Sequence, residues 1–441
     1  MKFFTKSHTS SYLLRNVELW RADKMAERVD IEVRQGKLVA ISSPGSSRHQ
    51  VEIDATGLSL LPTGVDPQVH LRVPGQLEKE TPEQGMAAAL YGGVGCLLTM
   101  PNTKPIVDAP EICQQVVDLT WQAAQEHGVE VLVSAAISKK MVGKEVTDYK
   151  ALAEWGVAAF TDDGLGVVSD DIMRRVFRAS AEFNIPVLQH AEFPDHPGVL
   201  ADGPVVQACG MEAYPAAAEY EMVARDIRLL REFRDARYHV LHVSSAKTLE
   251  LVREAKEAGL RVSCEVTPHH LYFSSHDIEM HNKSYKMNPP LRSPNDQYAL
   301  KQALSEGLID FVATDHAPHE ADAKHKKWQT AAYGTTGLET SLRTLLTLYN
   351  NGELSSQRVA EVFSKKPAEF LGVEGRYGSF ELEKTFRGVL FDARAKSQIE
   401  ISDLKSHSKN NCFLGHSLNG RISAVFNGED IFHFLNGSRA I

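Results

Sequence analysis

In Leu260-Arg261-Val262-Ser263-Cys264-Glu265-Val266, apolar and polar residues alternate, which is the period of a strand with two unlike faces. The pattern just upstream is different. Ser244 and Ser245 are candidate caps for a helix from about Ala246 to Ala258. Leu249, Val252 and Ala255 recur every third residue, and Gly259 is placed to end the helix. A helix that leads directly into a strand is half of a βα repeat. In a closed ring of such strands, the apolar face meets the outer helices and the polar face points inward.

The same rhythm extends in both directions. Candidate strands end near Asp66, Met100, Ile137, Asp163, His190, Val243, Val266 and Asp315, and the intervals are long enough to hold helices. This alternation predicts an α/β protein built as a (β/α)8 TIM-like barrel. The flanks differ. Asp30-Ile31-Glu32-Val33, Lys37-Leu38-Val39-Ala40-Ile41 and Val51-Glu52-Ile53-Asp54 read as short strands, with a turn at Gln35-Gly36. Arg421-Ile422-Ser423-Ala424-Val425-Phe426 followed by Asn427-Gly428 reads the same way near the other end. The expectation is a small β-sandwich domain formed by both termini, residues 1–58 and 376–441, around a barrel over 59–375.

Of 441 residues, 57 are acidic and 48 basic, giving a net charge of −9. Hydrophobic residues make up 43% and charged residues 24%, enough to build a core and too balanced for disorder. No basic run exists, which argues against nucleic-acid binding. The five cysteines are scattered without a CxxC pair, so neither a disulfide framework nor a thiolate zinc site is expected, and a reducing cytoplasm fits best. The first sixteen residues lack the apolar core of a signal peptide. No run of about 18 apolar residues occurs, so no membrane partner is expected.

Chemistry-bearing residues recur at the strand ends. His70 and Arg72 follow the first strand, Asp163 the fourth, His190 the fifth, His242 the sixth and Asp315 the eighth. In a barrel the carboxyl ends of all strands open on one mouth, where active sites lie. Imidazoles and carboxylates gathered there suit a divalent metal of the zinc type. Each residue alone has a plainer reading: a lone histidine as a hydrogen-bonded structural group, Asp162-Asp163-Gly164 as a turn. Five such residues at five strand ends are hard to explain as caps.

Asp66-Pro67-Gln68-Val69-His70-Leu71-Arg72 resembles the opening motif of the amidohydrolase superfamily. Met100-Pro101-Asn102-Thr103, Phe160-Thr161-Asp162-Asp163-Gly164, Glu265-Val266-Thr267-Pro268-His269-His270-Leu271, Lys286-Met287-Asn288-Pro289-Pro290-Leu291-Arg292, Ala313-Thr314-Asp315-His316-Ala317-Pro318-His319 and Gly337-Leu338-Glu339-Thr340 follow in order. From about residue 12 to 430 this series is similar to bacterial dihydroorotases of the longer type. The resemblance implies that His70 and Asp315 bind one zinc and His190 and His242 a second, with Asp163 bridging. It implies that Arg72, Asn102 and His319 hold a substrate carboxylate, Asn288 the ring, and the backbone of Tyr333-Gly334 the rest. Asp315 would move the proton in a reversible cyclisation of N-carbamoyl-L-aspartate to L-dihydroorotate. A homodimer is implied too.

Two positions depart from the family pattern. Gln68 stands where the motif has its first histidine, and an amide oxygen is a poor zinc ligand beside an imidazole. One tight zinc and a weak or empty second site are therefore expected. Val73 stands where glutamate is usual. Two other readings compete: a non-catalytic dihydroorotase-like subunit supporting aspartate carbamoyltransferase, and a hydrolase of another cyclic amide such as a hydantoin, dihydropyrimidine or allantoin. His269, His270 and His316 read as structural or orienting groups. Glu320 to Thr330, with Lys324, Lys326 and Lys327, reads equally well as a lid or as a solvated loop.

Overall fold

The structure, a computed structural model, describes residues 4–434. Eight strands run in sequence order around one parallel sheet. They are β1 (Gly64–Val69), β2 (Val94–Thr99), β3 (Glu130–Ala135), β4 (Ala159–Thr161), β5 (Val187–Gln189), β6 (Tyr238–Val240), β7 (Val262–Val266) and β8 (Phe311–Val312). Every expected strand end lies at or within a few residues of one of these.

The βα unit that opened the sequence argument forms as read. The helix spans Ala246–Glu257, the Ser245 side chain accepts from the Thr248 N–H, and Leu249, Val252 and Ala255 are buried. Gly259 follows with φ +71°, a left-handed conformation that glycine adopts without strain. Ser244 is not a cap, since its hydroxyl donates to buried Glu219. On β7, Val262, Cys264 and Val266 join the large cluster shared with the outer helices. Ser263 and Glu265 face His239 of β6, with Ser263 Oγ 2.8 Å from Nδ1 and Glu265 Oε2 3.1 Å from Nε2. One buried imidazole thus meets both inward polar side chains, and desolvation keeps it well below its ordinary pKa.

The ring closes where its last strand is shortest. β8 has two residues, and no strand ladder joins it to β1. Two links beyond its end close the seam. The His70 N–H donates to the His316 carbonyl at 2.9 Å, beside a parallel bridge between Val69 and His316. Asp66, buried on β1, accepts from the Thr314 N–H at 3.1 Å and the Thr314 hydroxyl at 2.6 Å. Burial raises the Asp66 pKa to about 6 against the pull of these bonds.

A nine-stranded mixed sheet combines both ends of the chain. Lys24–Arg34 and Lys37–Ser42 pair as a hairpin around Gln35-Gly36, whose φ values are +50° and +68°. Arg387–Gln398 pairs with Ser417–Asn427, which pairs with Asp430–Phe434. Ser59–Pro62 also lies in this sheet, against Arg387–Gln398 and Ser11–Arg21, so the sheet reaches past the expected limit at residue 58. The segment between Arg387–Gln398 and Ser417–Asn427 leaves the sheet and returns to the barrel mouth. There the Asn410 side chain accepts from the His319 N–H at 3.0 Å and donates to the carbonyls of Ala317 and Gly334. Among the described residues no helix is long and apolar enough to cross a membrane.

Asp66→Ala is expected to lower stability by about 3 kcal/mol, because it strands two buried donors on Thr314. In a double-mutant cycle with Thr314→Val, a coupling energy near zero would show that this pair does not hold the seam.

Candidate active site

Closing the ring brings residues from five strand ends into contact. His70 Nε2 lies 3.0 Å from Asp315 Oδ1 and 3.2 Å from Asp163 Oδ2. The other Asp163 oxygen, Oδ1, lies 3.4 Å from His190 Nδ1 and 3.6 Å from His242 Nε2, and these two ring nitrogens are 3.0 Å apart. Asp163 therefore divides its oxygens between two groups, Asp163-His190-His242 and His70-Asp163-Asp315. Each group is buried and has ligand atoms close enough to hold one ion. Burial alone would lower the pKa of His70 and His190, but the facing carboxylates raise them to about 9 and 10. The cluster is thus built around concentrated negative charge that calls for a cation.

Backbone conformation marks the same residues. Arg72, His242 and Asp315 have φ of +62°, +32° and +47°. Left-handed conformations cost roughly 1–3 kcal/mol each in non-glycine residues and collect at functional sites. Gln68, two residues before His70, is fully buried, and neither atom of its amide has a hydrogen-bond partner among the described residues.

Beside these groups opens a cavity of about 310 Å³. It is lined by His70, Arg72, Asn102, Asp163, His190, His242, Asn288, Asp315, His319, Tyr333 and Gly334, so every sequence-derived candidate except Gln68 reaches it. Arg72 donates to the Pro318 carbonyl at 3.2 Å and lies 3.2 Å from His319 Nε2. Burial and the Arg72 charge press the His319 pKa down to about 2. His319 is therefore neutral, accepts from Arg72 at Nε2 and carries its proton on Nδ1. The Asn102 Oδ1 accepts from His70 Nδ1 at 2.8 Å, leaving its Nδ2 donor for a ligand. A guanidinium, an imidazole N–H and an amide NH2 line one cavity, a set of donors that can bind an anion inside a negatively charged protein.

The segment expected as a lid or a solvated loop is neither throughout. Lys326 and Lys327 are exposed, but Lys324 is buried. Its Nζ donates to the carbonyls of Lys286, Ala332 and Gly334 at 3.1, 2.9 and 2.7 Å. The fully buried Lys286 donates to those of Trp328 and Ala331 and lies 4.1 Å from the Tyr333 ring centroid. Two buried lysine amino groups thus fix the cavity wall at Ala332, Tyr333 and Gly334.

His270 is held by the Thr267 hydroxyl and the Pro289 carbonyl, and His316 receives the Gly337 N–H and faces Glu80. His269 is buried with both ring nitrogens unpartnered among the described residues. Val73 packs in the main core. Sequence reading missed Glu192. Its Oε2 lies 3.2 Å from His190 Nε2, the Asn288 Nδ2 donates to it at 2.8 Å, and the Tyr214 hydroxyl donates to Oε1 at 2.6 Å. Burial works against its charge, yet His190, Tyr214 and Asn288 hold its carboxyl down to about 2. Its position two residues after His190 was the one available signal.

A parallel barrel with two buried imidazole–carboxylate groups sharing one aspartate defines a metal-dependent hydrolase of the barrel class. Residues 59–425 match the amidohydrolase family, and the chain belongs to that family. It is 38% identical over 415 residues to dihydroorotase of Bacillus licheniformis, covering 93% of this chain and 95% of that one. Identity to dihydroorotase of Bacillus subtilis is 36% over 413 residues, with the same coverage. Among solved structures, L-hydantoinase (dihydropyrimidinase) from Arthrobacter aurescens superposes with a TM-score of 0.85 at 24% identity, over 98% of this chain and 97% of that one. The dihydropyrimidinase from Brevibacillus agri gives 0.80 at 23%, over 94% and 93%. At these identities the likeness is one of fold.

Lys324→Met is expected to speed amide hydrogen exchange over residues 328–334 about fivefold or more, the effect of one lost net hydrogen bond. Unchanged exchange there would show that the amino group does not hold the cavity wall.

Proposed function

We propose that this chain acts as a dihydroorotase, a metal-dependent cyclic amide hydrolase that interconverts N-carbamoyl-L-aspartate and L-dihydroorotate in pyrimidine synthesis. The observation that carries the reading is the adjacency in one cavity of the Asp163-centred groups and the anion-binding wall of Arg72, Asn102 and His319. The dihydroorotases it resembles over most of its length support it.

Imidazole nitrogens and carboxylate oxygens suit zinc. Asp163, His190 and His242 would hold the tighter ion. His70, Asp163 and Asp315 would hold a weaker one, with Gln68 Oε1 a poor fourth donor. A bound cation supplies Lewis acidity, bringing the pKa of water toward neutrality and polarising an amide carbonyl. The protein's own groups do the rest. Arg72, with Asn102 Nδ2 and His319 Nδ1, grips the substrate carboxylate and sets the ring against Asp315. Asn288 and the Tyr333-Gly334 backbone hold the ring. In the hydrolytic direction Asp315 takes the proton of the attacking water and delivers it to the departing ring nitrogen. Cyclisation runs the same transfers in reverse.

The anion-binding wall favours an acidic substrate over a neutral hydantoin or dihydropyrimidine. Gln68 is the feature that favours a non-catalytic subunit supporting aspartate carbamoyltransferase. A homodimer and that association are tested by sedimentation of the chain alone and mixed with the carbamoyltransferase.

Purified protein is expected to carry about one tightly held zinc per chain and to turn over dihydroorotate. Protein without metal and without turnover would favour the scaffold. Gln68→His is expected to raise the metal content toward two per chain, and unchanged content would remove the argument for a weakened site. Asp315→Asn, which tolerates the left-handed backbone, is expected to cut kcat about 100-fold or more with the fold intact. Near-normal turnover would remove its assigned role.

A further inference from the structure

Two amides on the cavity wall are locked in opposite senses. Asn102 gives its oxygen to His70, so what it has left is a donor. Asn288 gives its nitrogen to Glu192 Oε2 at 2.8 Å, and its Oδ1 is buried without a partner among the described residues. With Nδ2 as the donor, Glu192 Oε2 fixes which end of the Asn288 amide faces it. The carboxylate is itself fixed. The Tyr214 hydroxyl holds its other oxygen at 2.6 Å, and His190 Nε2 lies 3.2 Å from Oε2. Asn288 Nδ2 also lies 3.1 Å from His190 Nε2. His190 Nε2 and Asn288 Nδ2 thus both face the one carboxylate oxygen.

We propose that Glu192 is a positioning residue for ligand selectivity: it holds the Asn288 amide so that Oδ1 is presented to the ligand, and the cavity therefore selects a ring that carries an N–H at that point. This rests on the reading of the ligand as dihydroorotate, a cyclic ureide acid with two ring N–H groups, and adds which polarity the cavity requires. A ring with CH2 in place of that N–H has the same outline but leaves Oδ1 unsatisfied, a loss of about 5- to 100-fold in binding. Without the carboxylate the Asn288 amide can turn, and the penalty shrinks.

The test is calorimetric binding of dihydroorotate and of its two carbocyclic isosteres, in which CH2 replaces each ring N–H in turn. The proteins are the metal-loaded wild type, Glu192→Ala, Glu192→Leu and Glu192→Gln, with metal content and circular dichroism matched. The wild type is expected to bind one isostere at least about tenfold more weakly than dihydroorotate. Glu192→Ala, or Glu192→Leu should the alanine variant fail to fold, is expected to bring that ratio within about threefold. Glu192→Gln, whose amide oxygen can still accept from Asn288, is expected to restore most of it. A merely structural role for Glu192 would weaken all three ligands alike and leave the ratio unchanged, which would overturn the proposal. So would a wild type that binds dihydroorotate but treats both isosteres as its equal. A wild type that binds no dihydroorotate would instead overturn the substrate reading, and this inference with it.

Discussion

The seam between the first and last barrel strands is the constraint on which the site depends. β8 is too short to form a ladder, and the ring is held shut by Asp66 on Thr314 and by the His316 carbonyl on the His70 N–H. Those links lie next to His70 and Asp315, which are 245 positions apart in sequence and 3.0 Å apart in space. Closing the barrel and assembling the His70-Asp163-Asp315 group are one event. The left-handed backbone at Arg72, His242 and Asp315 follows from the same demand. Chain leaving a strand end must turn its side chain back over the mouth, and the packed barrel beneath bears the strain.

Electrostatics at the mouth runs against the charge of the molecule. A protein of net charge −9 builds a cavity with one donor-rich wall, next to a cluster whose carboxylates raise the pKa of two buried histidines. The two halves are kept distinct by neutral or fixed groups. His319 is held neutral, so it neither repels Arg72 nor competes for the carboxylates. Asn102 links the halves, accepting from His70 on one side and offering a donor on the other. The amino groups of Lys286 and Lys324 are spent on backbone carbonyls of the wall and shape the cavity.

Much of this was legible in the sequence because β/α alternation places strand ends at known intervals, and strand ends in a barrel converge. The alternation in 260–266 and the helix before it hold in detail, including the inward polar face. What was not legible depends on contacts that no local pattern encodes. Lys324 sits in a polar run and reads as solvated, yet five backbone carbonyls shared with Lys286 draw the two side chains inside. The segment carrying Asn410 lies between two sheet strands and reads as part of the terminal sheet, yet its amide is spent on barrel loops. Glu192 looks like any loop carboxylate, because Tyr214 and Asn288 lie 22 and 96 positions away.

On the proposed reading, the division of Asp163 makes glutamine at position 68 compatible with a working site. If one oxygen served both groups, weakening one would disturb the other. Here Oδ1 faces His190 and His242 while Oδ2 faces His70. A poor donor beside His70 therefore leaves the Asp163-His190-His242 group with its full set of nitrogens and oxygen, and with His190 fixed from behind by Glu192. The buried, unpartnered amide of Gln68 costs roughly 1–3 kcal/mol while it stays unsatisfied. On the proposed reading, the chain has kept the group with three good ligands and reduced the other to a site where Asp315 is freer to carry a proton.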